Sequence, residues 1–536
     1  MRVVDLFCGA GGFSEGFRQA GFDIIFGVDI WRPALLTFIA NQSTAKTVGR
    51  NIKEISILPD HEFDSVIPDS EIIIGSPPCV DFSHSNKSGK ADKTKGIELI
   101  KSFFRIVARK KFKKNSILKY WLFENVPNVQ SFVQSQYSAK DLDLTGDFIL
   151  IVKNGKDKVF DAQMFGVPSR RKRYICGEFL EPSQEETALE NIPLRKILEL
   201  LGEPCTKIDN LVIDPNYPTF TMPAKKITDY HYIQKLARFE WETAKRLKLD
   251  KGYMGRMTFP EDIDKPSRTI MATMTLSARE SMIFSYGLEE YRGPTIREIA
   301  SLMSFPIDYI FFGDSIRLKY RLVGNAVPPK LSYRFAKSIA LKEGMEVPNS
   351  YISINHRNLE SYINFNFKEI PLNQETNILP TRRFKYHIPY MKIHQFRVEL
   401  TNHHSDFKEK KFKWDVEIHW SQGPAAKIFL PKIDCLDFLA YELLSMENFI
   451  NLWRNKISKA AVFQKIYCLK LVEREEQGLI GPLELLDIIK QYLDGLDGKF
   501  NFDRKISIKE SPYPLPLKIA MGYFVLSNLV SLMAKE

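Results

Sequence analysis

Cysteine is scarce in this 536-residue chain. There are six, Cys8, Cys79, Cys176, Cys205, Cys435 and Cys468, far apart and with no CxxC pair. That spacing excludes a paired-cysteine zinc site and is too sparse for a disulfide framework, so free thiols are expected. No window approaches 18 consecutive apolar residues, which argues against a membrane span. The opening MRVVDLF lacks the charged, apolar and small-residue order of a signal peptide, so a cytoplasmic protein is expected. Internal repeats and low-complexity segments are absent too. Acidic residues fall short of basic ones, 65 Asp and Glu against 76 Lys and Arg, giving a net charge of +11 and a pI near 9.0. Such a balance suits a polyanionic partner, because each cation that reaches a phosphate releases condensed counterions. Charge alone does not choose nucleic acid over other partners.

What is present begins with alternation. RVVDLF, DIIFGVDI, SEIIIGS, YWLFENV and KRYICGEF are short apolar runs that read as buried strands. GGFSEGFRQAG and GIELIKSFFRIVARKKF between them read as helices. Strands alternating with helices over residues 1–178 predict an α/β fold with a doubly wound, mostly parallel sheet. Ligands of such a sheet bind beyond the carboxyl ends of its strands. From 179 to 265 the pattern loosens into proline, charge and scattered aromatics, as in PTFTMPAKKITDYHYIQKL, which suggests a small inserted domain. Order returns over 266–345 with the helical stretches GPTIREIASLMSFP and YRLVGNAVPPKLSYRFAKSIALKEG, and MEVPNS reads as a linker. Residues 346–536 have another texture. KFKWDVEIHWS alternates like an antiparallel strand, while CLDFLAYELLSMENFINLW and GPLELLDIIKQYLDGL are helical, so a separate α+β domain without a chemical motif is expected.

Four short stretches carry chemistry. In DLFCGAGGFSEGF, Gly9, Gly11 and Gly12 follow a strand and open a helix, so the backbone can approach a nucleoside-sized ligand. A dinucleotide fingerprint would need glycine where Ser14 stands, which disfavours NAD. Asp29, at the end of FGVDI, offers a carboxylate to a ribose. In GSPPC, Pro77 and Pro78 restrict the backbone so that Cys79 is held at a strand end, where a stabilised thiolate can act as a nucleophile. A lone cysteine more often packs as a small hydrophobe. SHSNKSGKADKTKG after it has almost no apolar anchor and suits a loop closing over a polyanion. In FENVP, Glu124 would face the same cleft as Cys79 if both strands share the sheet; alone it reads as a surface or capping glutamate. In PSRRKR, alternation puts Arg171 and Arg173 on one face and Lys172 on the other; alone this is a solvated charge run.

Taken together and in this order, DLFCGAGGFSEGF, GSPPC, ENV, PSRRKR and GNAVPP resemble the DNA (cytosine-5) methyltransferases, over about residues 1–345 outside the insert. The resemblance implies a Rossmann-like methyltransferase fold with an inserted target-recognition region at 179–265 and a return segment at 266–345. It implies S-adenosylmethionine as methyl donor, S-adenosylhomocysteine as product, no metal, and duplex DNA as substrate. Cys79 then matches the nucleophile, Glu124 the residue holding the pyrimidine edge, and Arg171 and Arg173 the paired arginines. Phe7, Gly9, Gly11, Gly12, Asp29, Ile30, Asn51, Pro78, Asn325 and Ala326 match the cofactor pocket. There are departures: Val80 and Ser169 stand where the family usually has glutamine, Ile30 replaces a common tryptophan, and Asn51 stands where an aspartate often meets the adenine amine. A restriction–modification or related defence setting follows by the same resemblance, with a companion nuclease or defence protein as partner. The alternatives are a tRNA cytosine-C5 methyltransferase, which lacks its branch's Cys-Phe-Thr signature here, and a catalytically silent DNA-binding protein.

Overall fold

A computed structural model describes residues 1–78, 93–183, 190–204, 210–250, 256–273, 275–356, 368–421, 426–432, 437–502, 504–507 and 513–534. Cys79, Val80 and the loop through Asp92 lie outside the described residues. The chain divides into two compact units. The first comprises 1–235, 260–276 and 280–371, and the second 236–259, 277–279 and 372–536.

The first unit is built on a seven-stranded sheet. Its strands are β1 (Arg2–Leu6), β2 (Asp23–Val28), β3 (Lys46–Val48), β4 (Ile72–Gly75), β5 (Tyr120–Asn125), β8 (Lys158–Asp161) and β9 (Lys172–Glu178), in the order β3-β2-β1-β4-β5-β9-β8. The pair β6 (Gln136–Ser138) and β7 (Ile149–Ile151) forms a separate ribbon. β3 through β5 run parallel, whereas β9 is antiparallel to β5 and β8 antiparallel to β9. The five apolar runs read as strands are thus all strands of one sheet. β1, β4 and β5 are apolar without alternation because both faces of the sheet are covered. α1 (Gly12–Gln19), α2 (Arg32–Asn41), α3 (Ile52–Ser56), α4 (Asp60–Val66) and α5 (Thr94–Phe112) link the parallel strands. α5 ends on Arg109, Lys110 and Lys111, cations that complement the negative end of its dipole.

Strand order reverses between β1 and β4, and ligands of open α/β sheets bind at such a switch point. Register aligns the strand ends there. Leu6 pairs with Val28 and Gly75, and Gly75 with Phe123, so Phe7, Asp29, Ser76 and Glu124 sit at or just past one edge.

Beyond the sheet the unit continues through α6 (Leu194–Leu201), the ribbon of β10 (Leu211–Ile213) and β11 (Thr221–Pro223), and β12 (Tyr232–Gln234). The ribbon of β13 (Phe284–Gly287) and β14 (Glu290–Arg292) precedes α8 (Ile296–Leu302), α9 (Ile316–Asn325) and α10 (Pro329–Lys342). β15 (Lys368–Ile370) pairs in parallel with β12. α10 packs on α1 through Leu331, Phe335 and Ile339 against Phe13 and Phe17. The chain after the expected linker stays bound to this unit: Tyr351 Oη donates to Asp308 Oδ1 at 2.6 Å, and Arg18 and Gln19 donate to the Ile352 carbonyl at 2.8 and 3.0 Å.

The second unit is α+β. Its antiparallel sheet has β16 (Lys385–His387), β17 (Phe396–Thr401), β18 (Asp415–Trp420) and β19 (Lys427–Phe429) in sequence order. Alternation sends Val398, Leu400, Val416 and Ile418 to the core they form with α11 (Ala440–Trp453), α12 (Ala460–Cys468), α14 (Pro482–Asp494) and α15 (Leu517–Ser531); α13 (Leu471–Glu476) lies between α12 and α14. This unit also takes in α7 (Arg238–Leu249) from the loosely patterned stretch. Arg238 pairs with Glu475, Arg246 with Asp487, and Asp250 meets His387 at 2.5 Å. Among the described residues no helix is long and apolar enough to cross a membrane.

Candidate active site

The edge defined by the sheet carries two groups of residues. The first is the turn after β1. Phe7, Gly9 and Gly11 all have positive φ, 59°, 54° and 84°, which turns successive amides toward one side as in an anion-binding nest. Space as well as φ requires glycine here. A Cβ on Gly11 would lie 2.6 Å from Tyr309 Oη, and one on Gly12 only 2.1 Å from the Val327 carbonyl. A Cβ on Gly9 would meet nothing nearer than 3.9 Å, so that side of the turn is open.

Asp29 braces this turn. Its Oδ2 accepts from the Gly9 amide at 2.9 Å and its Oδ1 from the Trp31 amide at 2.7 Å. Burial pushes its carboxyl above the usual range, against these hydrogen bonds. Ile30 beside it is 69% exposed, an apolar plate at the strand end. Asn51 caps α3, accepting from the Lys53 amide at 3.0 Å. Beneath the turn, Ser14 donates to Asp5 at 2.6 Å, and burial pushes the Asp5 carboxyl up to about 8. An open glycine cradle, a carboxylate and an exposed apolar side chain fit a nucleoside-bearing methyl donor. The backbone-bound carboxylate oxygens each retain a lone pair for ribose hydroxyls.

The second group lies at the ends of β4 and β5. Glu124 is buried. Its Oε2 accepts from Ser76 Oγ at 2.5 Å, and its Oε1 forms an ion pair with Arg173 Nε at 2.8 Å. Asn125 Nδ2 donates to the Pro77 carbonyl at 3.0 Å, pinning the turn that leads through exposed Pro78 to Cys79. The structure thus brings Glu124, Arg173 and the stem of the cysteine segment together.

Arg171 stands elsewhere. It precedes β9, is buried, and donates to the carbonyls of Ile270, Gly324 and Ala326 at 3.2, 3.0 and 2.8 Å. It holds the return segment at the end of α9, where Asn325 is exposed and Ala326 buried. Ser169 is buried and bridges to Ser267.

Several contributors escaped the sequence. Ser76 and Asn125 are one. Another is the start of α8, where Thr295 and Glu298 cap each other and Glu298 pairs bidentately with Arg292 at 2.9 and 2.7 Å. Buried Arg297 donates to the carbonyls of Thr228, Pro306 and Tyr309, and Tyr309 in turn donates to the Ala10 carbonyl at 2.6 Å in the glycine turn. The T-x-x-E spacing is that of a capping box, and Arg297 and Glu298 in an otherwise apolar helix start, with Arg292 just before it, were the remaining signal.

A family whose description is C-5 cytosine-specific DNA methylase matches residues 1–341. The chain is 30% identical over 359 residues to the type II methyltransferase M.MthTI of Methanothermobacter thermautotrophicus, an alignment covering 63% of this chain and 97% of that protein. It is 28% identical over 365 residues to M1.HphI of Haemophilus parahaemolyticus, covering 63% and 86%. With M.DdeI of Desulfomicrobium norvegicum the identity is 25% over 442 residues, covering 74% of this chain and all of that one. A match over more than half the chain, on a sheet whose strand ends gather these groups, makes the chain a member of the C-5 cytosine-specific DNA methylase family. Its activity is that of a DNA (cytosine-5-)-methyltransferase.

Proposed function

We propose that this enzyme methylates C5 of a cytosine flipped out of a specific duplex DNA sequence, through a covalent bond between Cys79 Sγ and C6. The observation that carries the reading is the buried Glu124 carboxylate, held by Ser76 and Arg173 at the strand end whose neighbour leads to Cys79. S-Adenosylmethionine, held by the turn Phe7–Gly12 with Asp29, Ile30 and Asn51 and closed by Asn325 and Ala326, supplies an electrophilic sulfonium methyl group.

The residues act on the base. C5 of aromatic cytosine is a weak nucleophile. Addition of the Cys79 thiolate pair to C6 breaks the conjugation and gives C5 enamine character. Glu124 accepts a hydrogen bond from the exocyclic amine and shares a proton with N3, which neutralises the negative charge that thiolate addition develops on the ring, with Arg173 fixing the carboxyl group and facing the base. The C5 electron pair would take the methyl carbon as its bond to sulfur breaks, leaving the neutral thioether S-adenosylhomocysteine, and C5 then loses its proton to a base. The pair from the C5–H bond re-forms the C5–C6 double bond, and the Sγ–C6 bond breaks to release the thiolate. Flipping the base out of the stack costs roughly a few kcal/mol. Residues 179–265 serve as target-recognition region, 266–345 completes the catalytic domain, and the type II names of the relatives support a modification role beside a nuclease that spares methylated DNA.

Duplex DNA carrying 5-fluorocytosine cannot lose its C5 substituent, so the expected result is a denaturation-stable protein–DNA complex that disappears in Cys79→Ser. Absence of that complex with wild-type protein, when bisulfite sequencing shows methylation of ordinary DNA, would remove the covalent step from the mechanism.

A further inference from the structure

The second unit offers two groupings of charge. One is buried: Glu399, Glu417 and His419 bring their oxygens and nitrogens within 4.8 Å. It is already balanced, for Lys385 sits 3.0 Å from Glu417 and 3.5 Å from Glu399 while Arg397 pairs with Glu399. The cation place is filled by an ammonium and no ion is needed.

The other grouping is on the surface. Antiparallel register sets Lys385 opposite Thr401 and Thr401 opposite Asp415, so the start of β16, the end of β17 and the start of β18 share one end of the sheet. Three exposed basic segments extend from that end: Arg382 and Arg383, His403 and His404, and the tip of the 403–413 hairpin with Lys408, Lys410 and Lys411. Among the described residues, none of Arg382, Arg383, Lys408, Lys410 or Lys411 lies within ion-pair distance of a carboxylate, unlike Lys413 and His404, which share Asp415 at 3.0 and 2.9 Å. His403 registers the field: partial burial, then the charges of Lys385 and Arg383, hold its imidazole below the ordinary histidine value.

The hairpin is ordered by its own bonds. Asp406 Oδ1 accepts from the amides of Lys408 and Glu409 at 3.0 Å each, and Asp406 and Lys411 exchange both backbone hydrogen bonds at 2.9 Å. Ser405 and Lys413 are bonded in both directions, and Phe407 meets Phe412 edge-on. Cations on a pre-ordered loop lose less freedom on binding than cations on a loose one. They project outward, an arrangement that cannot enclose a small anion but lets an extended polyanion engage several at once. Most of the chain's net charge of +11 belongs to this unit, which also incorporates 236–259 from the stretch assigned to target recognition.

We propose that this end of the C-terminal sheet, with the 403–413 hairpin and Arg382 and Arg383, is a phosphate-backbone contact surface that engages duplex DNA outside the sequence being methylated. It rests on the DNA-methyltransferase reading above. The probes are the full-length Lys408→Gln/Lys410→Gln/Lys411→Gln variant and, separately, Arg382→Gln/Arg383→Gln. Binding of a 40-bp duplex is followed by fluorescence anisotropy across KCl concentrations, with methyl transfer measured in parallel. Each phosphate contact removed lowers the slope of log K against log salt by about 0.9. The triple variant is therefore expected to bind about tenfold more weakly near physiological salt with a slope shallower by roughly two, while its rate at saturating DNA stays wild-type. Circular dichroism melting curves that match wild-type exclude misfolding as the cause. Unchanged affinity and slope in both variants overturn the proposal, whatever the methylation rate. A shallower slope in a chain that methylates nothing keeps the surface and overturns the catalytic reading instead.

Discussion

Each unit of this protein buries carboxylates against cations in its sheet, and the two do opposite things. In the N-terminal sheet, Glu124 meets Arg173 and Ser76 at the carboxyl ends of parallel strands, next to a turn that leads outward. In the C-terminal sheet, Glu399 and Glu417 face each other across mid-strand, with His419, Lys385 and Arg397 closing the group. The residue types are nearly the same. Parallel strands all end on one edge, so groups placed there converge where a substrate can reach them; an antiparallel mid-face position is enclosed by its own neighbours. Position within the topology, more than residue type, separates a pair at an open strand end from an enclosed one.

That contrast can be broken experimentally. The largest effect is expected from Glu124→Gln, which should slow single-turnover methylation by the folded protein by roughly 10²–10³-fold, well beyond what the loss of stability from unpairing Arg173 explains. A loss of fold instead would put Glu124 in the same class as Glu399. Arg171→Ala should act in the reverse sense. It strands three buried carbonyls, and denaturant unfolding should show a destabilisation of about 3–5 kcal/mol. Arg171→Lys should recover only part of that, because an ammonium cannot span the fork. Glu417→Gln should cost roughly 2–4 kcal/mol in unfolding, since it leaves Lys385 short of a buried partner, with methylation by the folded fraction within about twofold of wild-type. The last test concerns the pH dependence of stability, through Asp5. Its folded carboxyl, raised to about 8, lies above its unfolded value of 3.8. The stability of its protonated form is therefore complete below the unfolded value, declines as pH rises, and is lost once pH passes about 8. Asp5→Asn should flatten the pH dependence of the melting temperature across that window, and an unchanged slope would show that another group sets it.

How much of this was legible beforehand follows the range of the signals. The five strands and the glycine turn are local patterns of apolar runs and spacing, and they stand in the structure as read. The two arginines of PSRRKR show where local pattern stops. Alternation assigns Arg171 and Arg173 one face, yet β9 begins at Lys172 and Arg171 lies in irregular chain before it, free to turn toward Gly324 and Ala326. Ser76 reaches Glu124 across 48 positions, which only strand order can supply. α7 lacked a recognisable pattern because its polar face is matched by Glu475 and Asp487, more than 200 positions downstream. The Glu399–Glu417 pair likewise needs a register that alternation alone leaves free by two residues in either direction.

Gly12 and Gly16 press against Val327, Pro329 and Ser332, so helix α1 fits its place only when chain more than 300 positions later has arrived. During synthesis at about 5–20 residues per second, that interval lasts roughly 15–60 s. Throughout it Phe13 and Phe17 have no partner from α10, and this aromatic side of an otherwise polar α1 stays open to whatever chaperones attend the ribosome. The glycine turn between β1 and α1, made long before its partners, is among the last parts of this unit to become whole.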